Sequence, residues 1–371
     1  SSHFGFSQKP LHMMRCFIAS LWLWSRIATA LSITEEDWIS NEDRALLCDA
    51  DLKPYSPTTS DPIRWLHIPK TGTTFTSTVW RHGCPRIPHE AISTETLGDG
   101  KRFEGQLEEL YPSREWCDFL LDHSPATHKP IGREEWANHA GHFVTMLRKP
   151  SSRAYSAFNF NTHCIQDCNP ENGWGCLITR DPARRTCAIC NELHQLKCPH
   201  EYASHEAVKG CSAKMITGHP CNNATRLSFE ERESAVQQLE RGFSFVGLVE
   251  EWDLSICLFH RKFGGTPEPV ETAVLRHDDY SWPEGCDRSL FDIVADPDDE
   301  VVYNKAVELF RSRVLETVKS LRAELGLLST YRENGSGSMK ASPVAVHGSP
   351  RSLKGLHRGA RAPTRGQVAA K

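Results

Sequence analysis

Two short apolar runs constrain this chain more than any other feature. "HFVTML" (142–147) and "FSFVGLV" (243–249) are apolar on both alternating faces. Each is shorter than the roughly ten to twelve residues expected of a buried helix, so each reads as a strand covered on both sides. Such strands belong to parallel sheets, whose crossovers are helical. The intervening sequence supplies those helices. Pro150 opens one that carries Arg153 to Asn159, with Ser151 and Ser152 in its first turn. Ser228 and Glu231 form a capping box for another, through about Glu240. Glu251 to Phe263 has helical spacing and stops at Gly264-Gly265. Asp296-Pro297 starts a long helix in which Val301, Val302, Ala306, Leu309, Phe310, Val314, Val318 and Leu321 recur at three- and four-residue steps before Gly326. Arg64–Ile68 is a further short strand, with a helix over Thr74–Arg81. The predicted class is α/β: a parallel sheet flanked by helices, with a P-loop-like phosphate-binding loop and a Cys-rich, disulfide-stapled insertion.

Around that body the composition changes. Residues 1–30 contain "MMRCFIASLWLWSRIATA" (13–30), with a basic Arg15, an apolar stretch from Cys16 to Trp24 and a small-residue Ala28-Thr29-Ala30. This reads as a cleaved signal peptide, a short signal-anchor associated with a membrane, or an amphipathic start. Residues 31–60 are a polar lead-in, 61–330 the main domain, and 331–371 a basic, disordered tail. From Arg332 onward there are eight Lys or Arg against one Glu, so the formal net charge of −4 leaves −11 on the rest. An acidic body does not favour nucleic acid as a partner, and an anion site in it must be built from a few placed donors.

Cysteine usage points to export. Of fourteen cysteines, eight (Cys164, Cys168, Cys176, Cys187, Cys190, Cys198, Cys211 and Cys221) fall within 58 residues, in the anomalous segment 161–225. In an exported chain that density reads as disulfides. "CAIC" (187–190) and "CPH" (198–200) leave zinc as the competing reading. Two Asn-x-Ser/Thr sequons, at Asn223 and Asn334, fit the same compartment.

The stretch with chemistry is "RWLHIPKTGTTFTST" (64–78). A strand turning sharply into a helix exposes backbone N–H groups at the positive end of the helix dipole. Gly72 lets the backbone approach a ligand, Lys70 adds a mobile charge, and Thr71, Thr73 and Thr74 add hydroxyls. The order GxxxxGK[ST] of nucleotide triphosphatases is absent, because the lysine precedes the glycine. Further on, "TMLRKPSSRAYSAF" (145–158) puts Arg148 at the end of a buried strand and Ser156 on the following helix. Arg148 offers a planar fork of donors. Two anion sites on successive strand ends suit a nucleotide with both a 5′- and a 3′-phosphate.

"PKTGTTF" resembles the 5′-phosphosulfate loop of sulfotransferases that use PAPS (3′-phosphoadenosine-5′-phosphosulfate). "LRKPSSRAYSAF" resembles their 3′-phosphate motif, Arg-Asp-Pro-x-x-Arg-x-x-Ser. The similarity is greatest to Golgi carbohydrate enzymes such as the heparan sulfate 2-O- and 6-O-sulfotransferases. It extends weakly to "FVGLVEEWDLSICLF" (245–259) and "DEVVYNKAVELF" (299–310), and so spans roughly 64–328. Lys149 replaces the usual Asp, and Thr73 a frequent second Gly. The resemblance implies PAPS as co-substrate without a metal, and a glycan or small alcohol as acceptor in the Golgi lumen or membrane, or in secreted form. It also implies that Lys70 bridges the 5′-phosphate and the moving sulfonate. Thr71, Gly72, Thr73 and Thr74 then surround the phosphate, and Arg148 and Ser156 hold the 3′-phosphate.

The acceptor hydroxyl must lose a proton, and the family's glycan enzymes take the base from between the two motifs. "FLLDHSPATHKP" (119–130) offers His123 as catalytic base, beside Asp122, with His128, His139, Glu90 and Glu104 as alternatives. His67 reads as a packing residue, and Arg276 as a surface arginine or a late nucleotide contact. Two other functions compete: a disulfide-stabilised secreted binding protein with 161–225 as its active surface, and a P-loop-type kinase.

Overall fold

A computed structural model describes residues 38–49, 62–88, 117, 119, 128–160, 192–193, 195–272 and 281–326. His123, Glu90, Glu104, Arg276 and Asn334 lie outside these residues, as do the N-terminal 1–37, most of the Cys-rich segment and the basic tail.

The described elements run α1 (Asn41–Cys48), β1 (Arg64–Trp65), a 3-10 turn (Thr73–Phe75), α2 (Thr76–Gly83), α3 (Arg133–His139), β2 (Phe143–Leu147) and α4 (Pro150–Phe160). They continue with α5 (Pro199–Ser204), α6 (Cys211–Ile216), α7 (Phe229–Gly242), β3 (Phe243–Leu248), a second 3-10 turn (Val249–Glu251) and α8 (Trp252–Phe263). Last come α9 (Pro269–Thr272), α10 (Arg288–Asp292) and α11 (Pro297–Glu324). The three strands form one parallel sheet in the order β1-β2-β3. Arg64 pairs with Phe143 and Trp65 with Val144, while β2 and β3 run together from Phe143↔Phe243 to Leu147↔Leu248.

The helix signals act as the chemistry requires. At the start of α7 the Glu231 N–H donates to Ser228 Oγ at 3.2 Å, and the Ser228 N–H donates to Glu231 Oε2 at 2.7 Å. Asp296 caps α11 with Pro297 in its first turn, and Asp298, Asp299 and Glu300 oppose the helix dipole there. Val302, Ala306, Phe310, Val314, Val318 and Leu321 are buried along its length. With β2, β3 and α8 they form the main core. A second cluster joins Ala154 and Ala157 of α4 to Tyr202, Ala203, Val208 and Phe291.

Three features depart from the sequence reading or extend it. The first strand is two residues long: Leu66 N–H still donates to the Val144 carbonyl, but the chain then leaves the sheet toward Pro69, which has no donor to offer. The lead-in contains α1, whose Cys48 is bonded to Cys257 of α8 and whose Arg44 pairs with Glu251. The described end of the Cys-rich segment is not a surface appendage, since Cys211, Met215, Ile216 and Cys221 lie in the main core.

Four disulfides occur among the described residues: Cys48–Cys257, Cys84–Cys117, Cys198–Cys286 and Cys211–Cys221. Bonding to Cys286 takes Cys198 out of the zinc reading of "CPH". Such bonds form in oxidising compartments outside the cytosol. Among the described residues no helix is long and apolar enough to cross a membrane.

Candidate functional site at the carboxyl edge of the sheet

Because all three strands are parallel, the segments that follow them leave from one edge: 66–75 after β1, 148–150 after β2 and 249–251 after β3. In open α/β sheets this carboxyl edge is where ligands bind. The first two segments are neighbours, because β1 and β2 are paired and Thr145 Oγ1 donates to the Leu66 carbonyl at 2.9 Å.

The turn after β1 has an unusual backbone. Lys70 has φ 68°, and among the described residues it is the one non-glycine with positive φ. Gly72 follows at φ 93°. Thr71 between them and the helical residues after them have negative φ, so the sign alternates along 70–73. Left-right alternation of this kind is the backbone pattern of anion-binding nests, and here the Thr71 N–H is already taken by the Ile68 carbonyl at 3.3 Å. The first amides of the helical turn that follows have no partner within it. Gly72 also backs onto Trp252 of α8, since a Cβ there would lie 2.5 Å from the indole. Trp252 is itself pinned by its Nε1–H, which donates to the Glu271 carbonyl at 2.8 Å.

The threonines do not all face outward. Thr71 is buried, and its hydroxyl donates to the Ile68 carbonyl at 2.9 Å, closing the turn. Thr73 and Thr74 are half-buried, and their carbonyls accept from the hydroxyls of Thr76 and Ser77. Of the three threonines read from the sequence as hydroxyl donors, Thr71 thus spends its hydroxyl inside the turn, while these bonds engage only the carbonyls of Thr73 and Thr74.

Arg148 follows β2 and is half-buried. Ser156, two turns into α4, is buried at 3% exposure. Arg153, on the same helix face, is wholly enclosed: Nη2 donates to the Val208 carbonyl at 2.7 Å, and Nε lies 3.4 Å from Asp299. The corner that the sequence offers as a second anion site also holds a carboxylate. Glu250, beyond β3, accepts the Lys149 N–H at 2.8 Å and the Tyr303 hydroxyl at 3.1 Å.

Among the histidines weighed as base, two can be located. His139 ends α3, at the start of β2, which is the opposite edge of the sheet. His128 instead joins the turn. Its ring lies 4.1 Å from His67, which in turn stacks on Trp65 at 4.1 Å. His128 Nδ1 lies 2.8 Å from the His67 carbonyl. A carbonyl only accepts, so Nδ1 carries the proton and Nε2 of the neutral ring keeps its lone pair. Burial holds the His128 pKa down to about 4; the bond to His67 resists and the charge of Lys70 adds to the fall. Lys70 and His128 therefore share one electrostatic environment.

Glu250, Trp252 and Trp65 were not selected in the sequence; His128 was named there as an alternative base and His67 as a packing residue, but not their stacking against Trp65. A signal existed for Glu250 alone, since "VEE" directly follows a predicted parallel strand and must emerge at the same edge. His128 and Trp252 reach the turn through contacts distant in sequence, which no local spacing encodes. Among the described residues no three His, Cys, Asp or Glu side chains group to hold a metal ion. Comparison of the chain with family models, known proteins and solved structures returns no match.

Proposed function

We propose that this protein is a PAPS-dependent sulfotransferase of an oxidising compartment in the secretory pathway, the Golgi lumen or membrane, acting on a hydroxyl of a glycan or small alcohol. The observation that carries the reading is the alternating backbone of 70–73, with a lysine at its left-handed first position, beside the Arg148 segment. Neighbouring strand ends suit the two phosphates of one nucleotide. The "LRKPSSRAYSAF" resemblance supplies the second half, and Glu250 brings a carboxylate to the turn where Lys149 replaces the family's Asp.

In this reading the acceptor oxygen attacks sulfur in line, and the bond from sulfur to the 5′-phosphate oxygen breaks. Lys70 and the amides of Gly72, Thr73 and Thr74 hold the charge that builds on the leaving oxygen. His123, the first choice from the sequence, lies outside the described residues; of the alternatives, His128 feels the charge of Lys70, and in this reading its Nε2 takes the hydroxyl proton. Neutralising Lys70 with an anionic nucleotide removes one of the charges that lowers the basicity of His128. Arg148 and Ser156 hold the 3′-phosphate.

Calorimetry with the product nucleotide, 3′-phosphoadenosine 5′-phosphate, tests the binding half. Wild-type protein binds it, and Lys70→Ala or Arg148→Ala weakens binding roughly tenfold to a hundredfold, the worth of a charge-assisted hydrogen bond. In a radiolabelled-sulfate assay over polysaccharides and simple alcohols, His128→Ala lowers turnover by about 10²–10⁴ while nucleotide affinity stays. If His123→Ala has that effect and His128→Ala does not, the base is His123. A folded protein that ignores the nucleotide yet binds a glycan is the secreted binding protein instead.

A further inference from the structure

The transferase reading leaves the sequons without a use, and Asn223-Ala224-Thr225 is the one within the described residues. It follows α6 on a turn that the fold holds firmly. Cys221, two residues earlier, is bonded to Cys211. The Asn223 N–H donates to the Pro220 carbonyl at 3.0 Å, and its own carbonyl accepts from Lys214 Nζ at 2.6 Å. Asn223 Oδ1 accepts the Thr225 N–H at 2.9 Å. That last bond is an Asx turn: it engages the oxygen end of the side-chain amide and leaves Nδ2 outside the turn's own bonding.

Exposure separates the two adjacent asparagines. Asn222 is buried at 1% and out of register with Thr225, while Asn223 is half-buried and in register. Ala224, Thr225 and Arg226 are exposed, so a bulky, hydrophilic group on Asn223 displaces no packed side chain. Transfer to a chain before it folds requires only the motif; the fold must then leave the product room, and here it does.

We infer that Asn223 is an N-glycosylation site, modified in the oxidising compartment where the four disulfides form. Nδ2 bonds to C1 of the reducing-end sugar of a lipid-pyrophosphate-linked oligosaccharide. The bond from C1 to the pyrophosphate oxygen breaks, the lipid pyrophosphate leaves, and Nδ2 gives up one proton; nothing is oxidised or reduced. The inference rests on the compartment and the turn, and it does not need the transferase reading.

The test takes the full chain through the secretory pathway of cultured eukaryotic cells, followed by peptide N-glycosidase treatment and mass spectrometry. Conversion of Asn223 to Asp is expected wherever the glycan was attached. Asn223→Gln and Thr225→Ala both abolish that conversion, whereas Thr225→Ser, which keeps the motif, retains it. Thr225→Ala also keeps the backbone N–H that closes the turn, so its thermal midpoint matches that of enzymatically deglycosylated wild type. Secreted wild-type protein with unmodified Asn223 overturns the inference, as does modification that persists at residue 223 in Thr225→Ala.

Discussion

Two lysines sit in two tight regions of this molecule, and the fold uses them in opposite ways. Lys214, in α6, is buried at 1% exposure and donates to three carbonyls, those of Glu206, Lys209 and Asn223. Burial lowers its pKa, while Asp299 and Asp296 resist the fall. Around it lies a polar knot in which Asp296 accepts the Gly210 N–H, Asp299 accepts the Ala213 N–H, and Arg153 lies against both acids. Lys70 is half-buried at the sheet edge, on a left-handed backbone that costs a non-glycine residue roughly 1–2 kcal/mol. A lysine that ties loops together is saturated by carbonyls on ordinary helical backbone. One kept on strained backbone at the carboxyl edge of a sheet is kept for what its charge does there, which is the direction in which strain supports a functional reading.

The contrast is open to direct attack. The largest effect belongs to Lys214→Met, which leaves three carbonyls without their donor and takes one of the two cations, beside Arg153, from the field of Asp296 and Asp299. Urea denaturation should show a loss of about 3–5 kcal/mol. A loss under about 1 kcal/mol breaks the assignment of Lys214 to the structural side.

Next comes a pH dependence from the same knot. Burial, and then repulsion from Asp299, raise Asp296 from 3.8 to about 7, against the pull of Arg153 and the Gly210 N–H. A carboxyl that binds its proton more tightly when folded stabilises the fold below its unfolded value, and that stability drains away as pH rises through its folded one. Asp296→Asn keeps an acceptor for Gly210 but cannot titrate. The stability difference between wild type and this variant should therefore shift against wild type as pH rises from about 4 to about 7. His128, depressed to about 4, contributes the opposite slope below 6.5, and it cancels in the comparison of the two chains. A difference that stays flat over that window shows Asp296 to be an ordinary carboxylate.

The smallest stability effect sharpens the comparison most. Lys70→Gly relieves the left-handed backbone while freeing the unfolded chain, so stability should stay within about 1 kcal/mol of wild type. Nucleotide binding should weaken by the same roughly tenfold to hundredfold as in Lys70→Ala, and the His128 pKa, followed by NMR, should rise from about 4 because a neighbouring cation is gone. A large loss of stability in this variant places Lys70 with Lys214.

Legibility in the sequence followed the range of the forces involved. The strands at 143–147 and 243–248 and the helices starting at Pro150, Phe229, Trp252 and Pro297 were readable, because burial period and caps are written within a few residues. Helix Asn41–Cys48 was not. It is a short "NEDRALLC" held by Cys257 and Glu251, more than two hundred residues away. The polar knot is equally remote, since Gly210 and Asp296 are 86 positions apart. In the candidate site, Lys70, Gly72 and Arg148 were readable from turn chemistry and strand ends. The inward hydroxyl of Thr71, the enclosure of Arg153 and the approach of His128 depend on packing between elements, which local spacing does not record.

The bonds Cys48–Cys257 and Cys198–Cys286 overlap along the chain. Every peptide link from residue 48 to residue 286 is bypassed by at least one of them. A protease that severs the backbone once anywhere in that interval releases no fragment, and both halves of the core stay joined covalently until a reductant arrives. For this molecule, nicking and dismantling are separate events.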